Sequence, residues 1–282
     1  MSIEPNEIRG AAGETILVDT HRPPGPVSGV ALIAHGFKGY KDYGMFPAIA
    51  RTFAEAGMIA HRFNFSHSGM TNDIDTFARA DLFERDTWNR QVEDLEALTR
   101  GIANGDLAGE GLPLVLFGHS RGGVAVLLAA GRGGLAIAPA GVITAAAPSR
   151  CNSLEPDQVR RLLDQGWIES PSSRTGQALR VGRAFLQEQM EDPAGHDLLA
   201  VVARIECPLL VIHGGADPTV DPACAHLIAG AATAPAETLV IEGANHVFDT
   251  PNPMPDEAAP SAALRSMLNR ITSWLGARLA QV

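Results

Sequence analysis

Lysine is nearly missing from this chain: of 22 basic residues only Lys38 and Lys41 are lysines, against 32 acidic residues. The formal net charge of −10 disfavours a nucleic-acid backbone as partner and is repelled by an anionic membrane surface. Cysteine is sparse too. Cys151, Cys207 and Cys224 are far apart and lack metal-ligand spacing, so we read them as reduced and structural, with no zinc site. No apolar run approaches the roughly 18 residues that cross a bilayer, and the opening Met-Ser-Ile-Glu-Pro-Asn-Glu has neither a basic nor an apolar region. The expectation is a cytoplasmic protein that binds neither nucleic acid nor membrane, as a monomer or homodimer.

An apolar content of 45% with 19% charged residues is that of a globular chain, which sets disorder aside. A length of 282 residues is near the upper size for one hydrophobic core, so we expect one domain, 1–282, with an insertion.

The chain is organised around Leu112 to Ala130. Leu114 to Phe117 reads as a buried strand and the Ala/Leu-rich run after Gly123 as a buried helix, joined only by Gly118-His119-Ser120-Arg121-Gly122. So short a connection demands a tight turn that holds Ser120 on a corner above the sheet.

Around this centre, apolar runs alternate with helical patterns. Glu14 to Asp19 and Gly29 to Ala34 read as strands in a hairpin-like arrangement about the turn His21 to Pro26, with His35-Gly36-Phe37 and a glycine-rich loop after them. Pro47 to Ala56 (helix), Met58 to Phe65 (strand) and Asp86 to Ile102 (amphipathic helix) follow, with Thr71 to Arg85 ambiguous. Gly141 to Ala147 is a strand. Residues 148–204 break the rhythm, with helices at Arg160 to Gln165 and Arg183 to Met190 but no convincing strand, and read as a cap. Cys207 to His213 (strand), Pro222 to Gly230 (helix), Glu237 to Glu242 (strand) and Ser261 to Leu279 (helix) complete the chain. This alternation predicts an α/β fold: a mostly parallel central sheet with helices on both faces and a small helical cap, its ligand site at the C-terminal strand ends.

Three of those ends carry reactive side chains. A serine nucleophile needs a base and the base an orienting acid, in the order serine, acid, histidine for this type of turn. Of His213, His226 and His246, the last lies after the final strand; His226 falls in a surface helix and His213 precedes the best acid. Asp217 follows its strand by a short glycine turn, whereas the alternative, Asp221, stands where a helix N-cap belongs. We therefore assign Ser120, Asp217 and His246 as catalytic, with the backbone N–H groups of Phe37 and Arg121 as oxyanion donors. His35, Gly36, Tyr43 and Trp167 are expected around the substrate. Tyr40 and Phe46 are candidates for an aromatic wall beside Tyr43, and Phe185 for closing over the substrate with Trp167. Lys38 and Lys41, just beyond the oxyanion loop, could draw acid-bearing substrates toward an otherwise acidic protein but are read as solvated loop charges, and Ser66, His67 and Ser68 as turn residues.

From about Gly29 to Leu279 the chain resembles the α/β-hydrolase superfamily, through His35-Gly36-Phe37, Gly118-His119-Ser120-Arg121-Gly122, His213-Gly214-Gly215-Ala216-Asp217 and Asn245-His246. Within it, the compact size is most similar to the dienelactone hydrolases and cinnamoyl (feruloyl) esterases; dienelactone hydrolases proper carry cysteine where this chain has Ser120. The resemblance implies a serine hydrolase that cleaves small-molecule carboxylic esters through an acyl-enzyme, with no metal or organic cofactor. A thioesterase, acyltransferase or small peptidase with the same three residues, or a non-catalytic binding protein on this fold, are the alternatives.

Overall fold

The computed structural model describes residues 2–255 and 258–279. Its centre is an eight-stranded sheet of β1 (Ser2–Arg9), β2 (Thr15–Arg22), β3 (Gly29–Ala34), β4 (Met58–Asn64), β5 (Leu114–His119), β6 (Pro139–Ala145), β9 (Leu209–Gly214) and β10 (Ala236–Ile241). The spatial order is β1-β2-β4-β3-β5-β6-β9-β10, parallel from β4 to β10, with β2 antiparallel to both neighbours.

The strands are continuous apolar runs because both faces are covered. In β3, Val30, Leu32 and Ala34 join one core while Ala31 and Ile33 join the other, the alternation that a pleated strand imposes. The first core is closed by α3 (Trp88–Ala103), α4 (Arg121–Arg132) and α8 (Ala223–Ala231), the second by α1 (Phe46–Glu55) and α9 (Ala262–Leu279). The last helix buries Leu264, Met267, Ile271, Trp274 and Leu275 on one side, as its spacing predicts. Gly141 gives that tryptophan its seat: a Cβ there would lie 2.5 Å from the Trp274 ring.

Three expectations are corrected. The first hairpin is β1–β2, and β4 lies between β2 and β3, so Glu14 to Ala34 forms no hairpin of its own. Strand β1, Ser-Ile-Glu-Pro-Asn-Glu-Ile-Arg, is polar and holds Pro5, as an edge strand tolerates, and no apolar alternation announces it. His21 and Arg22 belong to β2 rather than to the turn, because His61 and Ala60 of β4 pair with Thr20 and His21. Between β6 and β9 the chain forms α5 (Pro156–Gln165), an antiparallel pair β7 (Trp167–Glu169) and β8 (Arg180–Gly182), α6 (Ala184–Glu191) and α7 (Leu198–Val202). The two short strands were not legible at three residues each. Helix α7 packs on α4 and α8, within the helical layer of the sheet. The ambiguous stretch supplies α2 (Ala80–Glu84), which packs on β8.

Candidate active site

The turn from β5 to α4 holds Ser120 at φ 53°, ψ −121°, a backbone conformation that non-glycine residues rarely adopt. Two glycines make it possible by close approach. A Cβ on Gly118 would lie 2.2 Å from the Gly122 carbonyl oxygen, and one on Gly122 would lie 2.4 Å from that of His35. The Ser120 N–H is tied to the Ala145 carbonyl of β6 at 2.8 Å.

Two further strand ends converge on the corner. Ser120 Oγ lies 3.0 Å from His246 Nε2, and His246 Nδ1 lies 2.7 Å from Asp217 Oδ2. Since the carboxylate only accepts, Nδ1 carries the proton and Nε2 is free to accept one from the hydroxyl. The Asp217 side chain is wholly enclosed while His246 is 17% exposed. Burial alone would raise the Asp217 pKa, but hydrogen bonds from His213, His246 and the Val220 and Thr219 N–H groups hold it well below the usual carboxylate range. The acid is therefore ionised throughout the neutral range.

His213 therefore belongs with the acid and away from the serine: its Nε2 lies 3.3 Å from Asp217 Oδ2 and 3.1 Å from the Val220 carbonyl. His226 is exposed on α8. Asp221 accepts from the Ala223 N–H at 2.9 Å, at the start of α8, and takes no part in the relay. The loop carrying His246 is braced by Asn245, whose Oδ1 accepts from Val247 and Asp249 at 3.0 and 2.9 Å, and by His119, whose Nε2 donates to the His246 carbonyl at 2.8 Å. Burial, and then the nearby His246, pulls the His119 pKa down to about 3, so its ring stays neutral.

Among the described residues, the N–H groups of Phe37 and Arg121 make no backbone hydrogen bond. Both residues line the space around Ser120. The Arg121 side chain turns away to a buried contact 3.1 Å from Asp86, stacked against Trp88, Phe185 and Phe37 at 4.6, 4.7 and 5.3 Å. Burial, only partly offset by Arg121, lifts the Asp86 pKa to about 6.

Two cavities meet at Ser120. The smaller, about 250 Å³, is lined by Gly36, Phe37, Tyr43 and Phe46 on one side and by Ser172, Ser173 and Arg174 on the other. The larger, about 630 Å³, lies between α4 and the β6–β9 segment and is walled by Trp88, Ile168, Val181 and Phe185. His35 lines neither. It is buried, donates from Nδ1 to the Gly36 carbonyl at 2.9 Å, accepts the Phe65 N–H at Nε2, and is kept neutral by burial at a pKa of about 4. Trp167 lines neither as well, because the Arg180 guanidinium covers its ring at 3.9 Å. Tyr40 is buried, with its hydroxyl on Asn252. Ser66, His67 and Ser68 are buried, and Ser66 binds Asp94 through N and Oγ at 2.8 Å each.

Lys41 corrects another expectation. It is buried and paired with Asp19 at 2.7 Å and Asp42 at 2.8 Å, both of which also meet Arg62. Asp42 is the next residue, but Asp19 of β2 and Arg62 of β4, which close the cluster, lie 20 or more positions away, so the loop sequence alone gives no sign that Lys41 is enclosed. Arg174 was missed for a like reason: Pro-Ser-Ser-Arg-Thr-Gly has no periodicity that points it anywhere.

A model of the alpha/beta hydrolase family matches residues 31–261. The chain belongs to that family. No functionally curated protein matches this hydrolase in sequence. Among solved structures it is similar in fold to Est1E from Butyrivibrio proteoclasticus with ferulic acid bound, at TM-score 0.74 and 16% identity over 97% of this chain and 99% of the other. It also resembles the esterase domain of a Rhodothermus marinus protein (TM-score 0.66, 22% identity, 99% and 100% covered). A third likeness is to a dienelactone hydrolase from Anabaena variabilis (TM-score 0.63, 17% identity, 97% and 98% covered). Among the described residues, no helix of this hydrolase is long and apolar enough to cross a membrane.

Proposed function

We propose that this alpha/beta hydrolase cleaves carboxylic esters of small molecules through an acyl-enzyme on Ser120. The observation that carries the reading is the unbroken chain from Ser120 Oγ through His246 to Asp217, at 3.0 and 2.7 Å. In the first half-reaction Ser120 Oγ bonds to the ester carbonyl carbon while its proton passes to His246 Nε2. The negative oxygen so formed is met by the N–H groups of Phe37 and Arg121. The C–O bond to the alcohol then breaks, and the departing oxygen takes the proton from His246. Water repeats the sequence on the acyl-enzyme, releasing the acid and restoring the serine hydroxyl. Asp217 fixes the ring orientation and stabilises the transient imidazolium. The larger cavity, with Trp88 and Phe185 in its wall, suits an apolar or aromatic acyl group, in keeping with the ferulic acid bound by the structural neighbour Est1E.

The test is a fluorophosphonate probe together with aryl ester turnover. Wild type labels and Ser120→Ala does not, while kcat falls by about 10⁶ in Ser120→Ala. Equal labelling of both proteins, or a loss below tenfold, overturns the reading.

A further inference from the structure

The two cavities beside Ser120 differ in charge. The smaller holds Lys38 and Arg174 and has no acidic side chain in its lining. The larger holds Arg121 and Arg150 together with Glu169 and Asp221. Among the described residues, neither Lys38 nor Arg174 forms an ion pair, whereas Lys41, Arg62 and Arg121 each face a carboxylate. Lys38 Nζ makes one hydrogen bond, to the Pro171 carbonyl at 2.8 Å, which leaves two of its three protons uncommitted. The Arg174 guanidinium is held in place by the Ile74 carbonyl, by Met70 Sδ at 3.4 Å, and by the rings of Tyr40 and Phe77 at 4.8 and 5.2 Å. Two positioned cations without counter-ions among the described residues, in a chain of net charge −10, form a local site for an anion.

The side of the ester that would occupy this cavity follows from proton transfer. The leaving oxygen must take its proton from His246 Nε2, so the alcohol half lies on the side that His246 lines. His246, His119 and Val247 line the smaller cavity, and none of them lines the larger. Ser120 and Phe37 line both, as the reacting carbonyl requires. Resting on the esterase reading above, we propose that the substrate is an ester whose alcohol half carries a carboxylate, seated in the smaller cavity against Lys38 and Arg174. A volume of about 250 Å³ suits a compact hydroxy acid rather than a long chain. Burial lowers the Lys38 pKa, and an incoming carboxylate opposes that shift.

Three butyrate- or glutarate-derived esters of one phenol skeleton separate the possibilities: neutral phenyl butyrate, 3-(butyryloxy)benzoate with the carboxylate on the leaving phenol, and monophenyl glutarate with it on the acyl end. Wild type should show kcat/KM about tenfold or more higher for 3-(butyryloxy)benzoate than for phenyl butyrate, chiefly through KM, the size of one charge-assisted hydrogen bond. Monophenyl glutarate should gain nothing. Lys38→Met and Arg174→Met should each cut the charged-to-neutral ratio at least about threefold, a ratio in which general losses of activity cancel, and added salt should shrink it too. Free 3-hydroxybenzoate should slow fluorophosphonate labelling of wild-type Ser120 more than phenol does, a readout that needs no variant to fold. A wild-type ratio near one, a ratio unmoved by both substitutions, or a larger advantage for the glutarate ester overturns the proposal and leaves the esterase reading standing. No turnover of any ester, with no labelling of Ser120, removes the esterase reading itself and this inference with it.

Discussion

Two clusters of enclosed charge in this hydrolase follow the same physics to different ends. Under the loop after β3, Asp19, Asp42, Lys41 and Arg62 close on one another. Arg62 also donates to His21 and to the Lys41 carbonyl at 2.8 and 2.9 Å, and Asn64 accepts the Lys41 N–H at 2.7 Å. Along the same C-terminal edge of the sheet, after β9, Asp217 is satisfied by two histidines and two N–H groups, but the line it begins ends at a hydroxyl facing two cavities. A closed network pairs its charges with one another and holds backbone in place. An open one has a proton to move.

If that distinction is right, the two clusters break differently. The largest effect belongs to the open line: Asp217→Asn should lower kcat by about 10⁴ toward an aryl ester, because the ring loses its fixed tautomer, with circular dichroism unchanged. A loss under tenfold would detach Asp217 from the chemistry. In the closed cluster, Lys41→Met should cost about 3 kcal/mol in urea unfolding by leaving two carboxylates to one guanidinium, and Lys41→Met with Asp19→Asn should recover part of it. A single-variant cost under about 0.5 kcal/mol would make the cluster ornamental.

Acid should separate the two clusters further. His21 is buried against Arg62, and burial, then Arg62, lowers its pKa to about 4 from the ordinary 6.5. The folded state thus prefers the neutral ring, so this stability is complete above pH 6.5 and is lost as the pH falls toward 4. The slope is at most about 1.4 kcal/mol per unit. Asp217 is depressed as well, but its contribution is lost only below the ordinary carboxylate range, near pH 4. His35, His61, His67 and His119 are lowered by burial too, so His21→Gln should make the profile between pH 6.5 and 4 less steep by at most about 1.4 kcal/mol per unit without flattening it, and leave the fall below it, as urea midpoints across that range would report. The smallest effect is expected at Lys38, whose ammonium meets no carboxylate among the described residues and only the Phe37 ring at 5.3 Å: Lys38→Met should change unfolding free energy by no more than about 0.5 kcal/mol.

What could be read in the sequence was what is local. Ser120, Asp217 and His246 each sit in a short glycine-containing loop directly after an apolar strand, and such loops announce themselves within a few residues. The parallel core was legible because burial on both faces writes continuous apolar runs. Strand β1 was not, since an edge strand with one solvated face needs little apolar character. Lys41 and Lys38 look alike in Lys-Gly-Tyr-Lys; only the pairing of β2 with β4 shows that one is enclosed. His213 was passed over as a base. Its place four residues before Asp217 was the available sign that it serves the acid instead.

The corner at Ser120 has a price for the fold. A side chain held at φ 53° costs on the order of 1–3 kcal/mol that glycine in the same place would not incur. Ser120→Gly should therefore give a protein that melts higher and does nothing. A descendant of this chain that no longer needed the proposed reaction could gain stability by discarding Ser120 first, while the fold around the empty corner persisted.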